Sequence, residues 1–216
     1  MKSENSIAEL KKLLKIDEST GFIFFNSFKI YGQINLIQGP VKCRSKLVEE
    51  LLKYLNRKAI NTLVVAYSNK NVEKSLYKSS KSISKSLGFL SVKEFSRAMN
   101  QTSEVLNQVK NSCIIVNGLN EFETNTRLLS LTETSRILQK HLANFSILCK
   151  QNNNSLIFLS ALSPSCLIYS ADCVVNLDNL SKIEDSYELK VIKNLDPKMN
   201  GLLTGDTLVI NLKDYL

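Results

Sequence analysis

The stretch from Gly32 to Leu47 constrains this chain more than any other. It reads Gly-Gln-Ile-Asn-Leu-Ile-Gln-Gly-Pro-Val-Lys-Cys-Arg-Ser-Lys-Leu. Ile34, Leu36 and Ile37 form a short apolar run of the kind a buried strand needs, and Gly39-Pro40 marks a tight turn. Beyond the turn, Leu47, Val48, Leu51, Leu52 and Leu55 recur at helical spacing. A buried strand passing straight into an amphipathic helix commits the chain to a sheet covered by helices.

A strand, a glycine turn and a helix in this order also make up the unit that binds phosphate. Its motif, G-x-x-x-x-G-K-[ST], uses glycines so that backbone N–H groups can curl around an anion, and a Lys to reach the outer phosphates. Counted from Gly39, the second glycine position holds Arg44, the Lys position holds Ser45 and the Ser/Thr position holds Lys46. The scaffold is present and the phosphate chemistry is altered. Lys42, Arg44 and Lys46 are expected to cluster at the helix start, which leaves residual anion or nucleotide binding open.

Further apolar runs follow at Thr62–Tyr67, Cys113–Val116, Ser155–Leu159 and Cys173–Leu177. They are continuous rather than alternating, as in parallel strands covered on both faces. Helical patterns separate most of them. Thr124–Lys150 carries Leu128, Leu131, Ile137, Leu138, Leu142, Phe145 and Leu148, and Ser91 with Glu94 predicts the capped start of a shorter helix. Ser6–Lys15 predicts a short N-terminal helix, and a connection rich in phenylalanine (Phe22, Phe24, Phe25, Phe28) leads to the first strand. After Leu180, the segments Tyr187–Lys193 and Thr207–Leu212 alternate around a turn-rich stretch, which predicts an antiparallel pair at the sheet edge. The expected fold is α/β: a doubly wound, mostly parallel sheet with a C-terminal antiparallel β pair.

The 216 residues suit one domain. Residues 1–31 read as a helical lead-in, 32–180 as the α/β core and 181–216 as the edge hairpin. No apolar run approaches ~20 residues, and the polar N-terminus lacks a signal-peptide core, so a cytoplasmic protein (or a nuclear one in a eukaryote) with no membrane partner is expected. Five cysteines and one histidine show no metal-ligand spacing, so no metal is expected. The net charge of +8 favours an acidic partner.

The words Gly32-Gln33-Ile34 entering Gly39-Pro40, Cys113 to Val116, the long helix into Ser155–Ser160, Ala171-Asp172-Cys173-Val174-Val175 and Leu189-Lys190-Val191-Ile192-Lys193-Asn194 occur in an order that resembles the RecA/RadA superfamily core, including its KaiC-like and archaeal recombinase-paralog branches. The resemblance runs from about Gly32 to Leu212 and implies a RecA-like ATPase core. Three departures remove the activity it would imply. The phosphate loop lacks its second glycine and its Lys. Asn117 stands where the family places an Asp that helps hold Mg²⁺, and a neutral amide is a poor partner for that ion. No carboxylate lies between Leu63 and Val72, where the family carries its water-activating Glu. Only about a dozen residues, Ala161 to Asp172, separate the fourth and fifth core strands, where filament-forming recombinases carry a longer DNA-contacting loop.

The second local feature is a basic stripe. Asn71–Leu87 is expected to be helical, and Lys70, Lys74, Lys78, Lys81 and Lys85 then share an arc of about 80° at about 100° per residue. Residues 70–97 hold seven basic and two acidic side chains. The stripe reads as a surface that tracks phosphates without reading bases, or else as a solvated lysine face.

Together these readings give a non-catalytic RecA-family paralog with no cofactor, residual ATP binding being left open. It would pair with another RecA-fold protein and bind DNA in homologous recombination or repair. Two alternatives are carried: a scaffold subunit that binds tRNA, as in the Elongator subcomplex, and a weak ATPase in which Lys42 or Lys46 replaces the missing Lys.

Overall fold

The computed structural model describes residues 33–57, 59–66, 84–86, 92–117, 131–160, 165–179, 186–195 and 203–211. In chain order the elements are β1 (Ile34–Gln38), α1 (Val41–Arg57), β2 (Asn61–Ala66), β3 (Ser84–Ser86), α2 (Val92–Gln108), β4 (Ser112–Asn117), α3 (Leu131–Gln151), β5 (Ser155–Ser160), α4 (Ser165–Ser170), β6 (Cys173–Asn179), β7 (Ser186–Asn194) and β8 (Thr207–Asn211). The strands form one sheet in the order β3-β2-β4-β5-β1-β6-β7-β8. The pairings from β3 through β6 are parallel, and β7 and β8 add on antiparallel. The protein is therefore α/β, with a mostly parallel sheet and a C-terminal antiparallel pair.

Alternation along β1 divides its side chains between two cores. Ile37 packs with Leu47, Leu51 and Leu55 of α1 and with Ile115, Ile157 and Val175. Ile34 and Leu36 point the other way, toward Phe95 and Met99 of α2, Phe145 of α3 and Leu167 of α4. Among the described helices, one thus covers one face and three cover the other. Val64 and Ile115 are fully buried, as expected for strands covered on both sides.

The amino end of the sheet is fastened by side chains that bond main chain across elements. Asn154 accepts from the Ser112 N–H (3.1 Å) and donates to the Leu106 and Val109 carbonyls (3.2 and 2.9 Å), so one amide closes the end of α2 onto the start of β4. Asn111 and Asn153 take positive φ of 51° and 55°, a region Asn tolerates better than most residues, and the Asn153 amide donates to Asn111 Oδ1. Asp172 accepts the Ile34 N–H at 2.8 Å. The Lys193 ammonium donates to the carbonyls of Ile168, Tyr169 and Ala171 (3.3, 2.7 and 2.6 Å), capping the C-terminal end of α4 with positive charge.

Two elements differ from the sequence reading, β3 and α4. The helix expected through Leu87 does not reach Lys85, because Ser84–Ser86 forms β3 and pairs parallel with Val64–Ala66. Five serines stand between Ser79 and Ser86. Serine competes for backbone hydrogen bonds and weakens a helix, whereas the edge of β2 offers ladder partners. The helix after Ser91 runs 17 residues, shorter than the 21 of α3, as expected. A short helix, α4, occupies the connection before β6. Residues 1–32, including the Ser6–Lys15 helix, lie outside the described residues. So do Lys70, Lys74, Lys78 and Lys81 of the basic stripe, and the 124–130 end of the predicted long helix.

Candidate functional site

Ligands of open α/β sheets bind at the carboxyl ends of the strands, where neighbouring strands send their chains to opposite faces. Here that point lies between β1 and β5. The chain leaving β1 enters α1 on one face, while the chain leaving β5 leads to α4 on the other. Two registered rows reach this end: Ser86, Ala66 and Asn117, the last opposite Leu159, and one step further Ser160, Gln38 and Asn176. None of them carries a charge. Asn117 and Ser160 are buried, and an amide and a hydroxyl are neither a general base nor a strong Mg²⁺ ligand.

The turn itself is tight. Helix α1 begins at Val41, and its first hydrogen bond runs from the Arg44 N–H to the Pro40 carbonyl at 3.1 Å. Pro40 stands at the helix start, where a fixed φ and a missing N–H do no harm. Residues 41–44, which a phosphate loop would leave as open coil, are therefore already helical. Gly39 packs directly on β6: a Cβ there would overlap the Leu177 carbonyl oxygen, and its φ of 155° adds strain for any other residue. The Gly39 N–H donates to the Ser160 carbonyl at 3.1 Å. Its carbonyl accepts from Arg44 Nε at 2.7 Å.

Of the cationic cluster expected from Lys42, Arg44 and Lys46, the two described side chains, Arg44 and Lys46, are separated by the helix. Residues two apart on a helix do not share a face. Arg44 turns inward and is buried, 3% exposed. Lys46 lies 3.7 Å from Glu50 and 4.0 Å from Glu49. Lys53 approaches the same carboxylates at 2.9 and 3.2 Å, and its hydrogen bond to Glu50 raises its pKa. The Glu50 side chain is 2% exposed, so two lysines compensate a buried carboxylate. The side chains of Lys42 and Ser45 lie outside the described residues.

Sequence reading did not single out Glu50 or Asp178. The first had a visible signal, since Lys46, Glu49, Glu50 and Lys53 stand three and four apart. Asp178, at the far end of β6, had none. Its charge reaches the Cys43 thiol, whose pKa is pushed up first by burial and then by that carboxylate. Burial raises the Cys113 and Cys149 thiols to about 12 and Cys173 to about 11, so these are protonated core groups near neutral pH, not nucleophiles. Among the described residues, no group of three or more His, Cys, Asp and Glu side chains could hold a metal ion. None of the described helices is long and apolar enough to cross a membrane.

No protein-family model matches the chain, and no curated protein matches it.

Proposed function

We propose that this chain is a RecA-type paralog that acts by binding rather than by hydrolysis. In this reading it is an accessory partner of another RecA-fold protein in DNA recombination or repair, working in the cytoplasm or, in a eukaryote, the nucleus. The observation that carries the non-catalytic half is the carboxyl end of the sheet. A strand–glycine–helix unit and Asn117 sit at the same end, as in an ATPase core. Yet the described residues that end β2, β4, β5 and β1 are uncharged, and the nearby Arg44 and Lys46 are engaged within the protein. Hydrolysis of a phosphoanhydride draws on charge and a base placed at the reacting phosphate, and the described end residues of β2, β4, β5 and β1 supply neither.

The nucleic-acid half rests on the lysines at 70, 74, 78 and 81 in a segment of net charge +5 from 70 to 97. With Lys85 on a strand, the stripe is reduced to four. Four phosphate contacts on duplex DNA predict a log–log salt slope near −3.6, each lysine contributing about 0.9.

Fluorescence anisotropy of labelled duplex DNA and of tRNA across a salt series tests this. Replacing Lys74, Lys78 and Lys81 by Ala should flatten the DNA slope to about −0.9 and weaken binding alike for all sequences. Tighter binding to tRNA would favour the Elongator-like scaffold reading. Failure to bind any nucleic acid, alone or with a RecA-fold partner, would remove the nucleic-acid role.

A further inference from the structure

We infer that the β1–α1 turn is a closed junction that takes no nucleotide, with the Arg44 guanidinium as the group that closes it. The inference rests on the RecA-type reading only in naming nucleotide as the ligand such a turn would otherwise hold.

A nucleotide-binding turn must present unspent backbone N–H groups around a space large enough for a phosphate. At Gly39 each main-chain group is already used. The N–H is bonded to Ser160 on β5, the Cα lies against the Leu177 carbonyl on β6, and the carbonyl oxygen receives Arg44 Nε. Three different elements thus converge on one residue, and helix α1 starts two residues later with no intervening loop.

Arg44 stands five residues after Gly39, where the motif needs a second glycine so that main chain can approach phosphate. Here a buried side chain folds back over the turn instead. Its charge is turned inward, toward a carbonyl oxygen of its own chain. On the outer face, Lys46 is drawn toward Glu50, itself buried and shared with Lys53. The described residues of this turn therefore do not fit a Mg²⁺-nucleotide: α1 starts without a wrapping loop, no second glycine admits a phosphate, and the nearby described cations are engaged internally. What an ATPase gains from its ligand, a fixed strand–helix junction, this chain gains from Arg44.

Thermal unfolding of the full chain, titrated with MgATP and separately with pyrophosphate up to millimolar concentration, tests the inference. Any ligand that binds only the folded state raises Tm progressively with concentration. The expected result is no saturable rise with either probe. Arg44→Ala should lower Tm, and Arg44→Gln, whose amide can still donate to Gly39, should fall between the two. The response to nucleotide should remain absent in both variants.

A saturable rise in wild-type Tm, or an Arg44→Ala protein as stable as wild type, would overturn the inference. Should Arg44→Ala fail to fold, the wild-type titration and the Arg44→Gln protein still decide it. DNA affinity measured with and without MgATP should be the same within error, and a nucleotide-dependent change would also overturn the closed junction. Loss of DNA binding under both conditions would instead count against the proposed function and leave the junction standing.

Discussion

The two ends of the parallel sheet are built on opposite plans. At the amino end, polar side chains reach across elements and bond main chain: Asn154 to α2 and β4, Asp172 to β1, Lys193 to the last carbonyls of α4. At the carboxyl end, the β1–α1 junction is held by close packing at Gly39 and by one inward-facing arginine. Polar groups at the amino end are consumed in joining elements. Those described at the carboxyl ends of β2, β4, β5 and β1 are neutral, and Arg44 and Lys46 beside them are engaged within the protein. In parallel α/β proteins the carboxyl end is where ligands are usually met. Here the β1–α1 junction at that end has become structural as well, as the proposed loss of catalysis would allow.

The comparison can be broken most sharply at Gly39. Replacing it by Ala drives a methyl group into the Leu177 main chain, which cannot swing aside as a side chain would. The expected loss is about 4 kcal/mol, near the top of the range for single substitutions, measured from urea unfolding. A loss under about 1 kcal/mol would mean that the junction is open, with room for a ligand.

Asn154→Ala probes the other end. It strips an acceptor from the buried Ser112 N–H and a donor from two carbonyls, at an expected cost of about 3 kcal/mol given the penalty for buried unpaired groups. Unfolding midpoints for this variant and for Asn153→Ala, whose bond is exposed, should differ widely. Equal midpoints would show that the amino end is fastened by packing alone.

A smaller effect should appear with pH. His141 is the only histidine, and burial, then the Lys140 charge, lowers its pKa from 6.5. The unfolded chain therefore binds a proton that the folded chain resists. Stability should be full above about pH 6.5 and decline as pH falls below it. His141→Gln should flatten the difference between unfolding midpoints at pH 7.5 and 5.5. An unchanged difference would assign the pH response to other groups.

Much of this architecture was legible in the chain because burial leaves a pattern. Continuous apolar runs mark β2, β4, β5 and β6, and alternation marks β7 and β8. The turn at Gly39-Pro40 was legible too. What escaped was whatever depends on partners distant in sequence. Ser84–Ser86 has no strand pattern and becomes β3 because β2 offers it a ladder. Asn154 reads as the polar end of a helix, and nothing local says that its amide meets residues some 45 positions away. At the site, residue types gave Arg44, Ser45 and Lys46 in place of the motif's Gly, Lys and Ser/Thr. They did not reveal that Arg44 turns inward or that Lys46 meets a buried Glu50, since that depends on where α1 starts and which face it buries.

The central claim is that this is a binding protein from which hydrolysis has gone. It is tested most directly by steady-state release of phosphate from MgATP, measured with the full chain alone and with duplex DNA present. The account predicts no turnover above background in either condition, and none after Asn117→Asp, since the missing loop and base are not restored by a carboxylate. Sustained, Mg²⁺-dependent turnover that disappears in Lys42→Ala or Lys46→Ala would contradict it.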